Sequence, residues 1–203
     1  MEPVAGPPVL DVSSLPNVVF RSRSLIWWGN VLYMLIEGAM FAMAIASYFY
    51  LRTRVSDWPP GVNPPYLGWG IANGIVFLLS VVPARWIQLR ARAGELAKVR
   101  LGLVALAGFG VVCIVLRCFE FAHLNCRWDS NAYGSLIWVL IGLHSGHLLT
   151  EFIETLVMLA FTLSSKMEAK RFPDFDANSD YWYFVVFWAV VMNFIIYGTT
   201  RLL

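Results

Sequence analysis

Five long apolar stretches decide what this chain can fold into. The first runs from Leu25 to Leu51. The other four cover approximately Tyr66–Ile87, Val99–Phe119, Tyr133–Leu163 and Tyr181–Leu203. About 20 apolar residues in a helix cross the roughly 30 Å hydrocarbon core of a bilayer, and each stretch reaches that length. Because lipid cannot satisfy polar backbone groups, apolar spans of this kind form helices. We therefore expect an all-α polytopic membrane protein with five transmembrane helices packed in one bundle.

The composition supports a membrane protein and argues against nucleic acid as a partner. Charged residues make up 14% of the chain, whereas about 25% of the residues of a soluble domain are charged. The formal net charge of +2 is too small to indicate binding to nucleic acid. We expect residues 1–23 to form a Pro-rich N-terminal arm and residues 24–203 to form the five-helix domain. The first apolar stretch is too long for a cleavable signal peptide.

Positive charges are unevenly divided between the two sides of the predicted bundle. Ten of the 15 Lys and Arg residues lie in the N-terminal tail, the second loop and the fourth loop. They are Arg21, Arg23, Arg85, Arg90, Arg92, Lys98, Arg100, Lys166, Lys170 and Arg171. The opposite side carries Arg52, Arg54, Arg117, Arg127 and Arg201. The positive-inside rule then predicts that the N-terminus is cytoplasmic and the C-terminus lies outside.

One acidic residue, Glu37, interrupts the first apolar stretch near its middle. A charged side chain at the centre of a transmembrane helix costs roughly 2.5 kcal/mol or more, so such residues are rare and usually functional. Glu37 is therefore the first candidate site residue, and we expect a polar partner for it inside the bundle.

Four ionisable residues follow one another along the fourth predicted helix. His144, His147, Glu151 and Glu154 recur at positions i, i+3, i+7 and i+10, a spacing that predicts a single helical face. Such a face should point away from lipid. Together with Glu37 it predicts a polar seam between the first and fourth helices, with Glu37 within hydrogen-bonding reach of His144 or His147.

Three kinds of site can use these residues. A di-iron bundle takes a Glu-x-x-His pair from each of two helices and a Glu from each of two others, but here the pairs are His-x-x-His and Glu-x-x-Glu on one helix. Haem ligation by two histidines needs ligands on opposite sides of the haem, which His144 and His147 cannot supply from one helix. A hydrogen-bonded network that satisfies Glu37 in a low dielectric fits best, so we predict no metal site in this chain. The network can serve as structural support between helices or as a proton relay.

The apolar stretches also carry motifs of a known family. The segment WWGNVLYMLIEGAMFAMAIASYFYLR, followed by WPPG, resembles the glutamate-bearing helix of cytochrome c oxidase subunit III. RCFEF, YGSLIWVLIGLHSGHLL and DYWYFVVFW are similar to later motifs of that family, in the same order. The resemblance extends from about Ser24 to Tyr197. The full-length family has seven helices and this chain begins where the third would begin, so it resembles the short five-helix bacterial members.

The resemblance implies roles for individual residues. Glu37 takes the place of the family's buried carboxylate, and His144 and His147 take the places of its paired histidines. Glu120, in RCFEF, takes the place of the family's glutamate at the end of the third helix of this chain. These residues are expected to belong to a buried polar or proton network rather than to a catalytic centre.

The sequence also departs from the family pattern. Tyr183 and Val186 occupy positions that are His and Asp in the last helix of many members. Glu151 and Glu154 occupy positions that are small or apolar in many members. Polar groups therefore shift from the fifth helix to the fourth.

The resemblance further implies a non-redox accessory subunit of a bacterial haem–copper (cytochrome c) oxidase in aerobic respiration, in the cytoplasmic (inner) membrane. Haem and copper would belong to partner subunits, and phospholipid would bind this chain. The expected partners are oxidase subunit I, other oxidase subunits, membrane lipids and a respiratory supercomplex. The alternatives are an accessory subunit of a nitric oxide reductase and an independent proton or ion transporter.

Overall fold

A computed structural model describes residues 18–164 and 167–202 of the chain. Within these residues the fold is all-α, as predicted, and five helices are long and apolar enough to cross a membrane. They are α1 (Leu25–Arg52), α2 (Leu67–Arg92), α3 (Leu96–Ala122), α4 (Ala132–Leu163) and α5 (Phe172–Asn193). A π-helical turn, Phe194–Gly198, joins α5 to a final short helix, α6 (Thr199–Leu202), within the same span. Most of the predicted Pro-rich arm lies outside the described residues.

The helices pack unevenly. α2 makes its most extensive contacts with α3 and α5, and α4 packs against both α3 and α5. α1 lies at the edge of the bundle, where it contacts α4 and α5, and it is the least buried of the five spans. Glycine lets a neighbouring side chain approach α2 closely: a Cβ added to Gly74 would lie 2.8 Å from Nδ2 of Asn193.

Local sequence sets where α4 begins and therefore where its ionisable residues lie. The side chain of Asn131 accepts a hydrogen bond of 2.7 Å from the backbone N–H of Gly134, a helix N-cap. From this start α4 continues for 32 residues, so the predicted length of the fourth span is confirmed and His144 and His147 lie near its middle.

Three helices extend clearly beyond their predicted bounds, α3 by three residues at each end. α5 begins at Phe172 rather than near Tyr181, because its polar first turns find partners on other helices. Asp176 forms an ion pair with Arg92 of α2 at 2.7 Å, and Asn178 contacts α4. α2 continues past Pro83 to Arg92, where Gln88 donates a 2.6 Å hydrogen bond to Asp180.

The end of the bundle where α2 ends, and where α3 and α5 begin, is here named the basic end. Its α2–α3 turn contains Gly94, whose φ of 71° suits glycine, and Glu95, which pairs with Arg90 and Lys98 at 3.0 Å each. Hydrogen bonds from Lys98, and also from Arg90, hold the pKa of Glu95 below its usual range. This turn thus keeps several of the predicted cytoplasmic charges together.

The assignment of Arg117 to the outer side was wrong. The structure places this residue inside α3 with its side chain buried. The guanidinium pairs with Glu120, one turn further along the same helix. It is a charge of the bundle interior and gives no information about the orientation in the membrane.

Candidate functional site

The carboxylate of Glu37 is buried between α1, α4 and α5. Tyr181 of α5 donates a hydrogen bond of 2.5 Å to its Oε2 atom. The Nε2 atom of His147 lies 3.4 Å from the same oxygen, a close contact without the alignment of a hydrogen bond. Of the two predicted histidine neighbours, therefore, His147 lies beside Glu37 and His144 does not.

The ring of His147 has a defined orientation. Its Nδ1 atom lies 2.7 Å from the carbonyl oxygen of Leu143. A carbonyl only accepts, so Nδ1 carries a proton and donates it. Nε2 then faces Glu37 either as a lone pair or as a second N–H.

His144 belongs to a second cluster, which extends from α4 toward α3 and α2. Its Nδ1 atom lies 2.9 Å from Nη2 of Arg117, and its Nε2 atom lies 3.0 Å from the carbonyl oxygen of Val185. A guanidinium only donates and a carbonyl only accepts. His144 therefore accepts at Nδ1 and donates at Nε2, which fixes a neutral imidazole with both nitrogens occupied.

Glu120 completes this second cluster. Nη1 of Arg117 lies 2.6 Å from Oε2 of Glu120, and the amide of Asn73 on α2 donates a 3.4 Å hydrogen bond to the same oxygen. The opposite charges of Arg117 and Glu120 balance each other. This arrangement ties α2, α3, α4 and α5 together at one level.

The two glutamates of α4 lie in different surroundings. Glu151 is fully buried, and Asn178 donates a 2.7 Å hydrogen bond to its Oε1 atom. Glu154 is exposed on the outside of α4. The prediction that four ionisable side chains share one inward face is thus wrong for Glu154. At about 100° per residue, Glu151 returns close to the direction of His144, whereas Glu154 points well to one side.

Three important residues escaped the sequence analysis. Tyr181 entered it only as the first residue of the fifth apolar stretch, and Arg117 only as a charge of the outer side. Asn178 lies between the fourth and fifth predicted stretches. An Arg–Glu pair at i and i+3 in an otherwise apolar helix is a usable signal for the second cluster. Nothing in the sequence connects Tyr181 with Glu37, which lies 144 residues away.

Two of the residues that depart from the family pattern, Tyr183 and Val186, lie on α5. The hydroxyl of Tyr183 donates a 3.3 Å hydrogen bond to Oε1 of Gln88. Val186 is buried in the apolar core. In the part of the chain that the structure describes, no group of three or more His, Cys, Asp or Glu side chains is arranged to hold a metal ion.

Comparison with known proteins identifies relatives over most of the chain. No family model matches the sequence. A curated relative from Corynebacterium diphtheriae named "Cytochrome c oxidase subunit 3" is 25% identical, and the alignment covers 86% of this chain and 89% of the relative. "Probable cytochrome c oxidase subunit 3" of Mycobacterium leprae is 26% identical, with 82% and 85% covered.

A longer relative is matched over only part of its length. "Cytochrome c oxidase subunit 3" of Cyanidium caldarium is 24% identical over 78% of this chain, but the chain covers only 61% of that protein. The match to the two bacterial proteins is nearly end to end, whereas the match to the longer protein is partial. The resemblance seen in the helix motifs is confirmed, and the chain is a homologue of cytochrome c oxidase subunit 3.

Proposed function

We propose that this chain is a non-redox accessory subunit of a bacterial haem–copper oxidase, located in the cytoplasmic membrane. The relationship to proteins named as cytochrome c oxidase subunit 3 carries this proposal. Haem and copper belong to partner subunits, chiefly the catalytic subunit I, and this chain packs against that subunit within the membrane. Neither a nitric oxide reductase subunit nor an independent transporter is supported by the relatives.

The geometry of the histidines favours a supporting role over a redox role. Both ring nitrogens of His144 already have partners, Arg117 and the Val185 carbonyl. A metal at His144 would have to displace one of them and leave a buried polar group unsatisfied, which costs about 1–3 kcal/mol. His147 faces a carboxylate at one nitrogen and a backbone carbonyl at the other. The residues are thus arranged for internal hydrogen bonding.

The first cluster, formed by Glu37, Tyr181 and His147, supports the handling of one proton next to the catalytic subunit. Nε2 of the imidazole lies 3.4 Å from the carboxylate, and the buried ring of Phe41 packs against the imidazole. Phospholipid is expected along the exposed apolar faces of the outer helices. In this role the chain stabilises the catalytic subunit and sustains proton uptake.

Purification of the complete chain in a mild detergent tests the proposed function. A tagged wild-type chain should bring down a large polytopic subunit that shows haem absorption and consumes oxygen. Other oxidase subunits and a respiratory supercomplex are expected in the same preparation. A chain that purifies alone with its own coloured group, or together with a nitric-oxide-reducing enzyme, would contradict the proposal.

A further inference from the structure

A groove opens between α1 and α4 on the outside of the bundle, with a volume of about 330 Å³. We call it the α1–α4 groove. Its lining residues are Tyr33, Glu37, Gly142, Leu143, Gly146, His147 and Thr150. It lies on the least buried helix of the bundle, at the edge where this chain supplies no further helix among the residues described.

The α4 side of the groove consists of small residues at intervals of four. A Cβ added at Gly142 or at Gly146 would meet no atom within 4 Å. The two glycines therefore do not serve packing inside this chain, although each costs a helix about 1 kcal/mol relative to alanine. Thr150 continues the same row. In membranes, small residues spaced by four allow a second helix to approach the backbone closely.

The floor of the groove contains buried polar atoms that need a further partner. The His147 side chain is 8% exposed, and its Nε2 atom has no hydrogen-bond partner among the described residues. The neighbouring side chain of Glu37 is 9% exposed. A buried polar atom without a partner is costly, and the partly exposed Glu37 carboxyl group beside it is the point at which a group from outside the chain can add a hydrogen bond to this pair.

Glu154 adds a second acidic position along the same row of α4, one turn beyond Thr150. It is exposed on an apolar span, and within the described ranges its carboxylate forms no hydrogen bond or ion pair. A carboxylate that faces hydrocarbon is unfavourable. The groove lining contains no Lys or Arg, so an occupant with hydrogen-bond donors would complement both acidic positions.

We propose that a transmembrane helix of the partner oxidase subunit packs into the α1–α4 groove, against Gly142 and Gly146. This helix presents donor side chains, basic or amide, to the Glu37–His147 pair and to Glu154. The inference rests on the proposed function, because it assigns the face by which this chain binds the catalytic complex. Close backbone packing and polar contacts then act together, as is typical of helix association in membranes.

Leucine substitutions in the groove test the proposal. Gly142→Leu and Gly146→Leu should leave the chain's own packing unchanged, because both positions face open space. Each should reduce the amount of haem-bearing subunit recovered with the tagged chain by about tenfold, the effect of roughly 1.4 kcal/mol. Gly108→Leu is the matched control, since Gly108 faces open space on α3, away from the groove, and should recover the wild-type amount.

A photo-crosslinking amino acid provides an independent measurement. Placed at Thr150 in the groove, it should form an adduct with the partner subunit, whereas the same group at the exposed Val104 of α3 should not. Wild-type recovery with both leucine variants, and no adduct from Thr150, would overturn the inference while leaving the accessory role intact.

Two other outcomes are equally informative. If the leucine variants keep the partner subunit but lose bound phospholipid, measured by mass spectrometry of extracted lipids, the groove is a lipid site and the inference is wrong. If even the wild-type chain recovers no haem-bearing subunit, the proposed function fails before the groove is tested. Loss of the partner with normal amounts of each variant in the membrane supports the inference.

Discussion

At the scale of single residues, the two histidines of α4 differ in how they are held. His144 contacts groups from two other helices, Arg117 of α3 and Val185 of α5. His147 contacts a carbonyl of its own helix and leaves Nε2 unpaired toward Glu37. The ring of His144 therefore connects three helices of the bundle, whereas the ring of His147 lines the α1–α4 groove.

Replacing each histidine with alanine should reveal this difference. His144→Ala leaves a buried guanidinium N–H and a carbonyl without their partner, and should lower the free energy of unfolding by about 2 kcal/mol or more. His147→Ala removes the same number of atoms from the same helix and should cost clearly less. Thermal denaturation of the purified complex in detergent measures both. Equal losses would show that the contacts of His144 contribute nothing specific.

A second prediction concerns the carboxyl group of Glu37. Glu37→Gln keeps an oxygen that can accept the hydrogen bond from Tyr181 but removes the exchangeable proton. The haem content of the complex should stay at the wild-type level, while the enzyme should inactivate faster during turnover or pump fewer protons. Tyr181→Phe is the control, since it removes the 2.5 Å hydrogen bond and keeps the carboxyl group. Loss of haem in Glu37→Gln would contradict a supporting role.

At the scale of helices, the polar beginning of α5 depends on contacts with α2 and α4. Asp176 is almost fully buried and its charge is balanced by Arg92. Asn178 is hydrogen-bonded to Glu151. Without these contacts the segment before Tyr181 would be a hydrophilic connection rather than part of a helix.

Removal of one ion-pair partner should therefore shorten α5. Arg92→Ala leaves the Asp176 carboxylate buried and unpaired, which costs roughly 3 kcal/mol, and should expose residues 172–180 to proteolysis and hydrogen exchange. The double variant Arg92→Ala with Asp176→Ala should be less affected than the single one, because no unpaired charge remains. A double variant as sensitive as Arg92→Ala would argue against this explanation.

At the scale of the whole molecule, the orientation in the membrane remains a prediction from the positive charges. We expect the basic end to face the cytoplasm. In a chain whose native cysteines have been replaced, Asp129→Cys in the α3–α4 loop should react with a membrane-impermeant thiol reagent on intact cells. Lys98→Cys should react only after the cells are opened. The reverse pattern would invert the assignment.

The number of helices and their order could be predicted from the sequence, because each span carries its own signal in about 20 apolar residues. Glu37 was also recognisable, since acidic residues are rare in such spans, and Glu120 was identified through the family resemblance. The neighbours of these residues were not predictable. Tyr181 and Glu37 are far apart along the chain, and only the packing of α1 against α5 brings them together.

The α4 pattern shows the limit of periodicity in this protein. Residues that recur at intervals of three and four lie on one broad face of a helix. On α4 this face is wide enough to extend from the core of the bundle to its surface. His144 and Glu151 lie at its buried centre, His147 lies at its edge beside α1, and Glu154 lies outside. Which part of this face is buried depends on the positions of the neighbouring helices. The sequence of α4 alone does not contain these positions.

Both ring nitrogens of His144 already have hydrogen-bond partners, and this limits the routes that a proton can take through the bundle. The ring cannot take up a proton at Nδ1 without releasing Arg117, and Phe41 lies against the rings of both His144 and His147. Among the residues described, the ring of His144 therefore offers no free nitrogen through which a proton at Glu37 could pass toward Glu120. We expect any proton held at Glu37 to exchange on the α1–α4 side of the bundle, at the boundary with a neighbouring subunit.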